Sequence, residues 1–198
     1  MNLPEQVGIM LLPQTVLFPH QLLPLRIFEP RYRKMLQEAL EGSRMFAVVL
    51  DSETPSTSSR VGGIGLIRTC VRQADGTSNL ILQGIARVRL DHLVKNLPYL
   101  MASPEPIEDP EESTPQSLAT QESLVAKILE SIEKADAPVT HALEEMKDFL
   151  KYLEDPHAFV DLVAGSFVKT PTTQQIILQT PRITDRLRLL LSALIRSL

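Results

Sequence analysis

The chain holds one cysteine, Cys70, in 198 residues, which leaves it no internal disulfide and no thiolate metal cluster within one chain. Tryptophan is absent. No uncharged apolar run reaches the ~18 residues that a bilayer span needs. The opening residues, MNLPEQVG, put no cationic stretch ahead of an apolar one and do not read as a signal peptide. A soluble, cytoplasmic protein is expected. The motifs of covalent chemistry are missing as well. No G-x-x-x-x-G-K-[ST] occurs to hold nucleotide phosphates, and no G-x-S-x-G elbow to raise a serine nucleophile. Gly62-Gly63-Ile64-Gly65 is glycine-rich but leads into a strand pattern, so close packing explains it better than a phosphate cradle. Ser166 lies in an apolar helical pattern, where it packs. His20, His92, His141 and His157 are scattered without helical pairing, which disfavours zinc. No catalytic residue, metal or cofactor is expected.

What the sequence does have is punctuation: 15 prolines in a chain with 43% apolar and 22% charged residues, the composition of an ordinary globular protein. Its net charge of −4 gives no general attraction to nucleic acid or anionic membrane. The organising stretch is Leu12 to Gly42. Pro13, Pro19 and Pro24 exclude a helix from its first half and suit short extended pieces at sheet edges or bends. Pro30 fits the first position of a helix and Glu29 its positive end. Tyr32, Met35, Leu36, Ala39 and Leu40 then recur at helical spacing, and Gly42 ends the run. A helix is expected over 30–41, packed on a strand. Further strands are expected at Gly8–Leu12, Leu22–Ile27 and Met45–Leu50, with a polar loop from Asp51 to Arg60.

From Val61 to Leu90 the pattern is that of a hairpin around Asp75-Gly76. Pairing centred on that dipeptide sets Leu80, Leu82, Ala86, Val88 and Leu90 against Val71, Thr69, Gly65, Gly63 and Val61. Gly84 is the expected bulge. The other face then carries Cys70, Ile81, Leu66 and Ile85 with Arg68, Arg72, Arg87 and Arg89. A last strand is expected over Tyr99–Ile107. Glu105 to Ser117 is acidic and proline-rich, the composition of a linker. Beyond it, Thr114-Pro115, Ala137-Pro138, Asp155-Pro156, Thr170-Pro171 and Thr180-Pro181 punctuate helical stripes. Four of these five pairs offer a Thr or Asp cap before a proline. About four or five helices are expected, forming a bundle.

FPHQLLPLRIFEPRYRKM, with its order Phe-Pro, Pro-Leu-Arg and Phe-Glu-Pro-Arg-Tyr-Arg, resembles the start of the Lon protease N-terminal (substrate-binding) domain family. The sequence Gly84-Ile85-Ala86-Arg87-Val88-Arg89-Leu90 is similar to the end of that family's central hairpin. PYLMASPEPIED, AFVDLVAGSF and DRLRLLLSALIRSL resemble its later segments. The resemblance implies an α+β fold: a PUA-like β pseudo-barrel subdomain at 1–110 followed by a helical bundle at 111–198. It further implies a stand-alone member without the family's ATPase and peptidase segments. The function implied is a non-catalytic module in protein quality control that binds unfolded or exposed apolar polypeptide, with an ATP-dependent protease as a further partner.

Phe28, Arg31 and Tyr32 are the candidate protein-binding residues. Phe28 and Tyr32 also suit a purely structural role, fixing the helix on the sheet. The alternative function is RNA binding through Arg68, Arg72, Arg87 and Arg89 on one sheet face. Against it stand the acidic total, the missing aromatic interleaving and the simpler reading of a solvated face.

Overall fold

The structure, a computed structural model, describes residues 3–51, 60–94, 98–134 and 141–197. The Ala137-Pro138 pair and nearly all of the expected polar loop fall outside them. Two compact units follow one another, Met1–Ile107 and Glu108–Leu198. The first is built from β1 (Val7–Leu12), β2 (Leu22–Ile27), α1 (Pro30–Glu41), β3 (Met45–Leu50), β4 (Arg60–Arg72), β5 (Ser78–Val94) and β6 (Leu100–Pro106). The second contains α2 (Pro115–Lys134), α3 (His141–Lys151), α4 (Pro156–Phe167), α5 (Pro171–Gln179) and α6 (Ile183–Ser197). The fold is α+β.

The strands form one sheet in the order β2-β5-β4-β3-β1-β6, and β6 returns to pair with β5. Five strands therefore close into a ring, and β2 extends beyond it as an added edge. β5 makes both arrangements possible. One of its edges pairs with β4 over Ser78–Leu90; the other pairs with β2 over Ser78–Gln83 and with β6 from Val88 onward.

The change of partner falls at Gly84. Its N–H donates to the carbonyl of Gln21, and its own carbonyl accepts from the N–H of His20, both at 2.9 Å. His20 takes φ 65° to make that turn. The Leu17–Phe18 backbone consequently presses on the hairpin. A Cβ on Gly63 would sit 1.9 Å from the Leu17 carbonyl oxygen, and one on Gly84 2.0 Å from that of Phe18. Only glycine permits this approach. The register slips beside Gly84, and the unpaired residue is Ile85, one place from the expected bulge. A second slip leaves Arg68 unpaired.

Alternation along these strands feeds two cores. Val7, Ile9, Ala47, Val49, Val88 and Leu90 share one cluster. Met10, Phe46, Val48, Leu80 and Leu82 belong to the other, with Tyr32, Met35 and Leu36 of α1. The bulge at Ile85 lets even-numbered residues of β5 serve the α1 core before it and the ring's core after it. α1 begins with Pro30 and ends at Gly42, as its sequence predicts. Glu29 makes no side-chain cap and is bound to Arg31 instead. Tyr99 donates to the Glu38 carboxylate, and burial together with that charge pushes its phenol up to about 12.

The hairpin register differs from expectation by one residue. The turn is a three-residue loop in which Gln73 and Thr77 still bond, Gly76 takes φ 78°, and Arg72 pairs with Ser78. Its centre is Asp75, not the Asp75-Gly76 bond. Leu80 thus faces Cys70, and past the unpaired Arg68 Leu82 faces Ile67. A one-residue slip exchanges the faces of a strand. Val71 and Thr69, expected opposite Leu80 and Leu82, point away from that core.

In the second unit α6 packs on α2, α4 and α5. Leu187 and Leu190 of α6, three residues apart, are buried, whereas Ile195 of the same helix is 59% exposed. Arg186 of α6 is fully buried and bound to Asp161 of α4, a pair that hydropathy patterning does not announce. Thr114 and Asp155 cap α2 and α4 through their side chains; Thr170 precedes α5 without a side-chain cap bond. Thr180-Pro181 does not open a helix. α6 starts at Ile183, and its cap comes from the supposed linker. The Glu112 carboxylate accepts from the Thr184 N–H at 3.0 Å and from Nε of Arg182 at 2.7 Å.

Burial raises the Glu112 pKa, but the Thr184 and Arg182 bonds outweigh it and hold the carboxyl below its usual range. Its stabilisation is therefore complete above the ordinary carboxylate pKa and is lost as pH falls through the depressed folded value. Replacing Glu112 by Gln should lower unfolding free energy by about 1–2 kcal/mol at neutral pH, with the deficit shrinking in acid, as followed by urea unfolding across pH. Gly63→Ala and Gly84→Ala should each cost about 2–4 kcal/mol in the same assay. Gly42→Ala, where the nearest atom would be 3.4 Å away, should cost less than about 1 kcal/mol.

Candidate functional site

α1 covers one side of the β2-β5-β4 extension. Across the other side the pairings define three rows: Leu22–Gln83–Leu66, Pro24–Ile81–Thr69 and Arg26–Asn79–Val71. Leu22 is 61% and Val71 60% exposed, unusual for a leucine and a valine within paired strands. Phe28, one residue past β2, continues the outward alternation of Leu22, Pro24 and Arg26 and is 62% exposed. Pro24, Thr69, Val71 and Ile81 border a shallow depression of about 430 Å³. The result is a surface with apolar side chains on three neighbouring strands and few charges. Arg26 at its rim lies 3.8 Å from Asp75.

β2 is the last strand in the order, so its second edge has no strand beside it among the described residues. Pro24 lies in the middle of that strand. A proline within a sheet turns its missing donor toward the open side, which blunts the edge for addition of a further strand. Contact through side chains on the face is the route left open.

The three candidates around the start of α1 go to different places. Phe28 is exposed one residue past β2, so it is not the core residue that one reading allowed. Arg31 is exposed, bonds the Glu29 carboxylate at 2.9 Å and lies 4.6 Å over the Tyr32 ring. Tyr32 is 5% exposed. Its hydroxyl accepts from the Leu11 N–H at 3.1 Å and donates to the Leu11 carbonyl at 3.4 Å. Phe28 follows the strand alternation of β2 outward, whereas Tyr32 belongs to the buried stripe of α1 with Met35 and Leu36 and turns inward.

The four arginines likewise do not form one face. Arg87 is 5% exposed, while Arg68, Arg72 and Arg89 are exposed. Arg68 is the extra residue of a bulge, and Arg72 shares the α1 side with Cys70. The premise of the RNA reading is thus not met. Sequence reasoning does not group Leu22, Pro24, Val71 and Ile81, because pairing centred on Asp75-Gly76 sets Val71 opposite Leu80 and nothing local shows which strand β2 joins. The three-residue turn, with Gly76 closing it, was the available signal.

Among the described residues there is no group of acidic, histidine and cysteine side chains suited to a metal ion, and no helix long and apolar enough to cross a membrane. A ring-closed sheet with an apolar extension, followed by a helical unit, defines an α+β protein whose candidate site offers contact surface. The family model described as "ATP-dependent protease La (LON) substrate-binding domain" matches residues 6–196, and the chain belongs to that family. It is 26% identical over 192 residues to Lon protease of Dictyoglomus thermophilum, covering 94% of this chain and 24% of that protein. To Lon protease 1 of Thermus thermophilus it is 27% identical over 201 residues, covering 98% and 25%. The chain thus spans about a quarter of the length of these relatives.

Among solved structures, the N-terminal domain of Mycobacterium avium complex Lon protease superposes with a TM-score of 0.78 at 19% identity, covering 98% of this chain and 100% of that one. The Lon N-terminal domain protein of Xanthomonas campestris gives 0.65 at 21% identity, covering 94% and 97%. At such identities the likeness establishes the fold.

Replacing Tyr32 by Phe should cost about 1–2 kcal/mol through the orphaned Leu11 backbone groups, whereas Phe28→Ala should stay within about 0.5 kcal/mol, both read by urea unfolding.

Proposed function

We propose that the apolar face of the β2-β5-β4 extension receives exposed apolar segments of unfolded or partly folded polypeptides. The observation that carries this reading is the exposure of Leu22 and Val71 on one side of a single three-stranded platform, with Phe28 exposed one residue past its edge strand. A monomer leaves few large apolar side chains together in water without a partner to cover them. Membership of a family described as a substrate-binding domain supports polypeptide as that partner. The chain acts by contact, without covalent chemistry, in cytoplasmic protein quality control and in association with an ATP-dependent protease.

The energetics suit a transient client. Burying the remaining surface of three such side chains contributes about 3–5 kcal/mol, against which binding must order the peptide. The complex is therefore weak and exchanges rapidly, as a handover requires. The face has no directional bonding scheme, so it selects apolar content over sequence.

A fluorescein-labelled, uncharged, leucine-rich unfolded peptide tests this by anisotropy. Leu22→Asp combined with Val71→Asp should weaken its binding about tenfold or more, while circular dichroism stays unchanged. Parental affinity in a folded double variant would refute the assignment of this face.

A further inference from the structure

The side of the same strands that faces α1 carries a second surface of different chemistry. α1 and the β4–β5 hairpin leave between them a groove of about 690 Å³. Leu36, Leu40 and Cys70 give it an apolar floor. Arg33, Lys34, Arg44 and Arg72 stand around that floor, and Glu41 is the one carboxylate among the described residues that line it. A chain with a formal charge of −4 thus gathers four cations against one anion at a single concavity.

The folded framework engages some of this charge, Asp75 of the hairpin turn standing near enough to Arg33 to interact with it, while Arg33 and Arg72 line the groove. Arg44 donates from Nε and Nη2 to the Ile67 carbonyl at 3.4 and 3.3 Å, which holds it at the rim. Lys34 stands 3.8 Å from the exposed Glu38. Arg33 lies against the hairpin turn, where a Cβ on Gly76 would come within 2.2 Å of its Nη2. Arg72 is the last residue of β4, opposite Ser78. α1 and the hairpin tip, joined by the Arg33 contact, thereby set guanidinium groups on both walls.

We infer that this groove binds short acidic peptide segments in which an apolar side chain is flanked by aspartate or glutamate. The apolar residue occupies the floor of Leu36, Leu40 and Cys70, and the carboxylates bond Arg33 and Arg72 on the two walls. Guanidinium groups suit this task, since each presents paired donors to a carboxylate. A nucleic acid fits less well. Among the described residues the lining has no aromatic side chain on which a base can stack, and the net charge of the chain repels a long polyanion. The inference rests on the polypeptide-binding reading of this unit and gives it a charge preference on a separate surface.

The test uses the full chain and two fluorescein-labelled peptides. One has two leucines flanked on each side by an aspartate and a glutamate; in the other, asparagine and glutamine replace the acids. The acidic peptide should bind at least about tenfold tighter, and its affinity should fall as salt rises from about 50 to 500 mM. Arg33→Glu with Arg72→Glu should weaken it about tenfold or more, and Arg72→Glu alone serves if the double variant fails to fold.

Equal affinity for the two peptides overturns the inference, as does parental affinity in a folded Arg72→Glu variant. So does an oligouridylate that competes more strongly than the acidic peptide. Loss of acidic-peptide preference with intact binding of the uncharged leucine-rich peptide removes this groove and leaves the apolar face standing. The reverse pattern removes the face and leaves the groove.

Discussion

The first unit depends on one close approach, the Leu17–Phe18 backbone lying on Gly63 and Gly84 of the central hairpin. That contact fills the point at which β5 gives up β2 as a neighbour and takes β6. Without it, one long strand would have to keep a single partner along its edge, and either the ring or the extension would be lost. The polar groups exposed at the changeover are satisfied by Gln21 and His20, at the cost of a left-handed histidine. A bulge at Ile85 then re-aims the side chains, so the same alternation serves two cores in succession.

The two candidate surfaces are consequences of that extension. A three-stranded flap needs a cover on one side, and α1 supplies it through Tyr32, Met35 and Leu36. The other side is left with Leu22, Val71 and Phe28 in water. Where α1 and the hairpin tip diverge, the covered side opens into a groove with arginines on both walls. The two surfaces differ in the force they offer: one gains from dehydration and is indifferent to salt, the other adds Coulomb attraction that salt screens. Together they would let one small unit engage clients that differ in charge.

The helical unit is held by interactions of another kind. α6 lies against three helices, and its interior carries a charged pair, Arg186 with Asp161, inside an otherwise apolar stripe. Such a pair contributes little net stability compared with an apolar substitute of the same shape. It does restrict which faces of α4 and α6 can meet, because any other pairing buries a lone charge. Glu112 sets the start of α6 in the same way, accepting the N–H of a residue 72 positions along the chain.

Much of this was legible in the order of residues. Pro30 and Gly42 bracket α1, the stripe of Tyr32, Met35 and Leu36 names its buried face, and Pro24 marks an edge strand, because these signals act within a few residues of themselves. The α+β class and the family resemblance follow from the same local patterns in sequence. Tertiary structure alone decided the hairpin register, where a turn one residue longer than the dipeptide suggests exchanges the faces at the hairpin tip and the bulges at Arg68 and Ile85 shift them again. It alone decided that Phe28 points to solvent while Tyr32 meets Leu11, that Arg87 is buried apart from the other arginines, and that Glu112 caps a distant helix. Each of these depends on which segments meet across long stretches of chain, and the energy of that meeting is shared among many side chains and written in no single stretch.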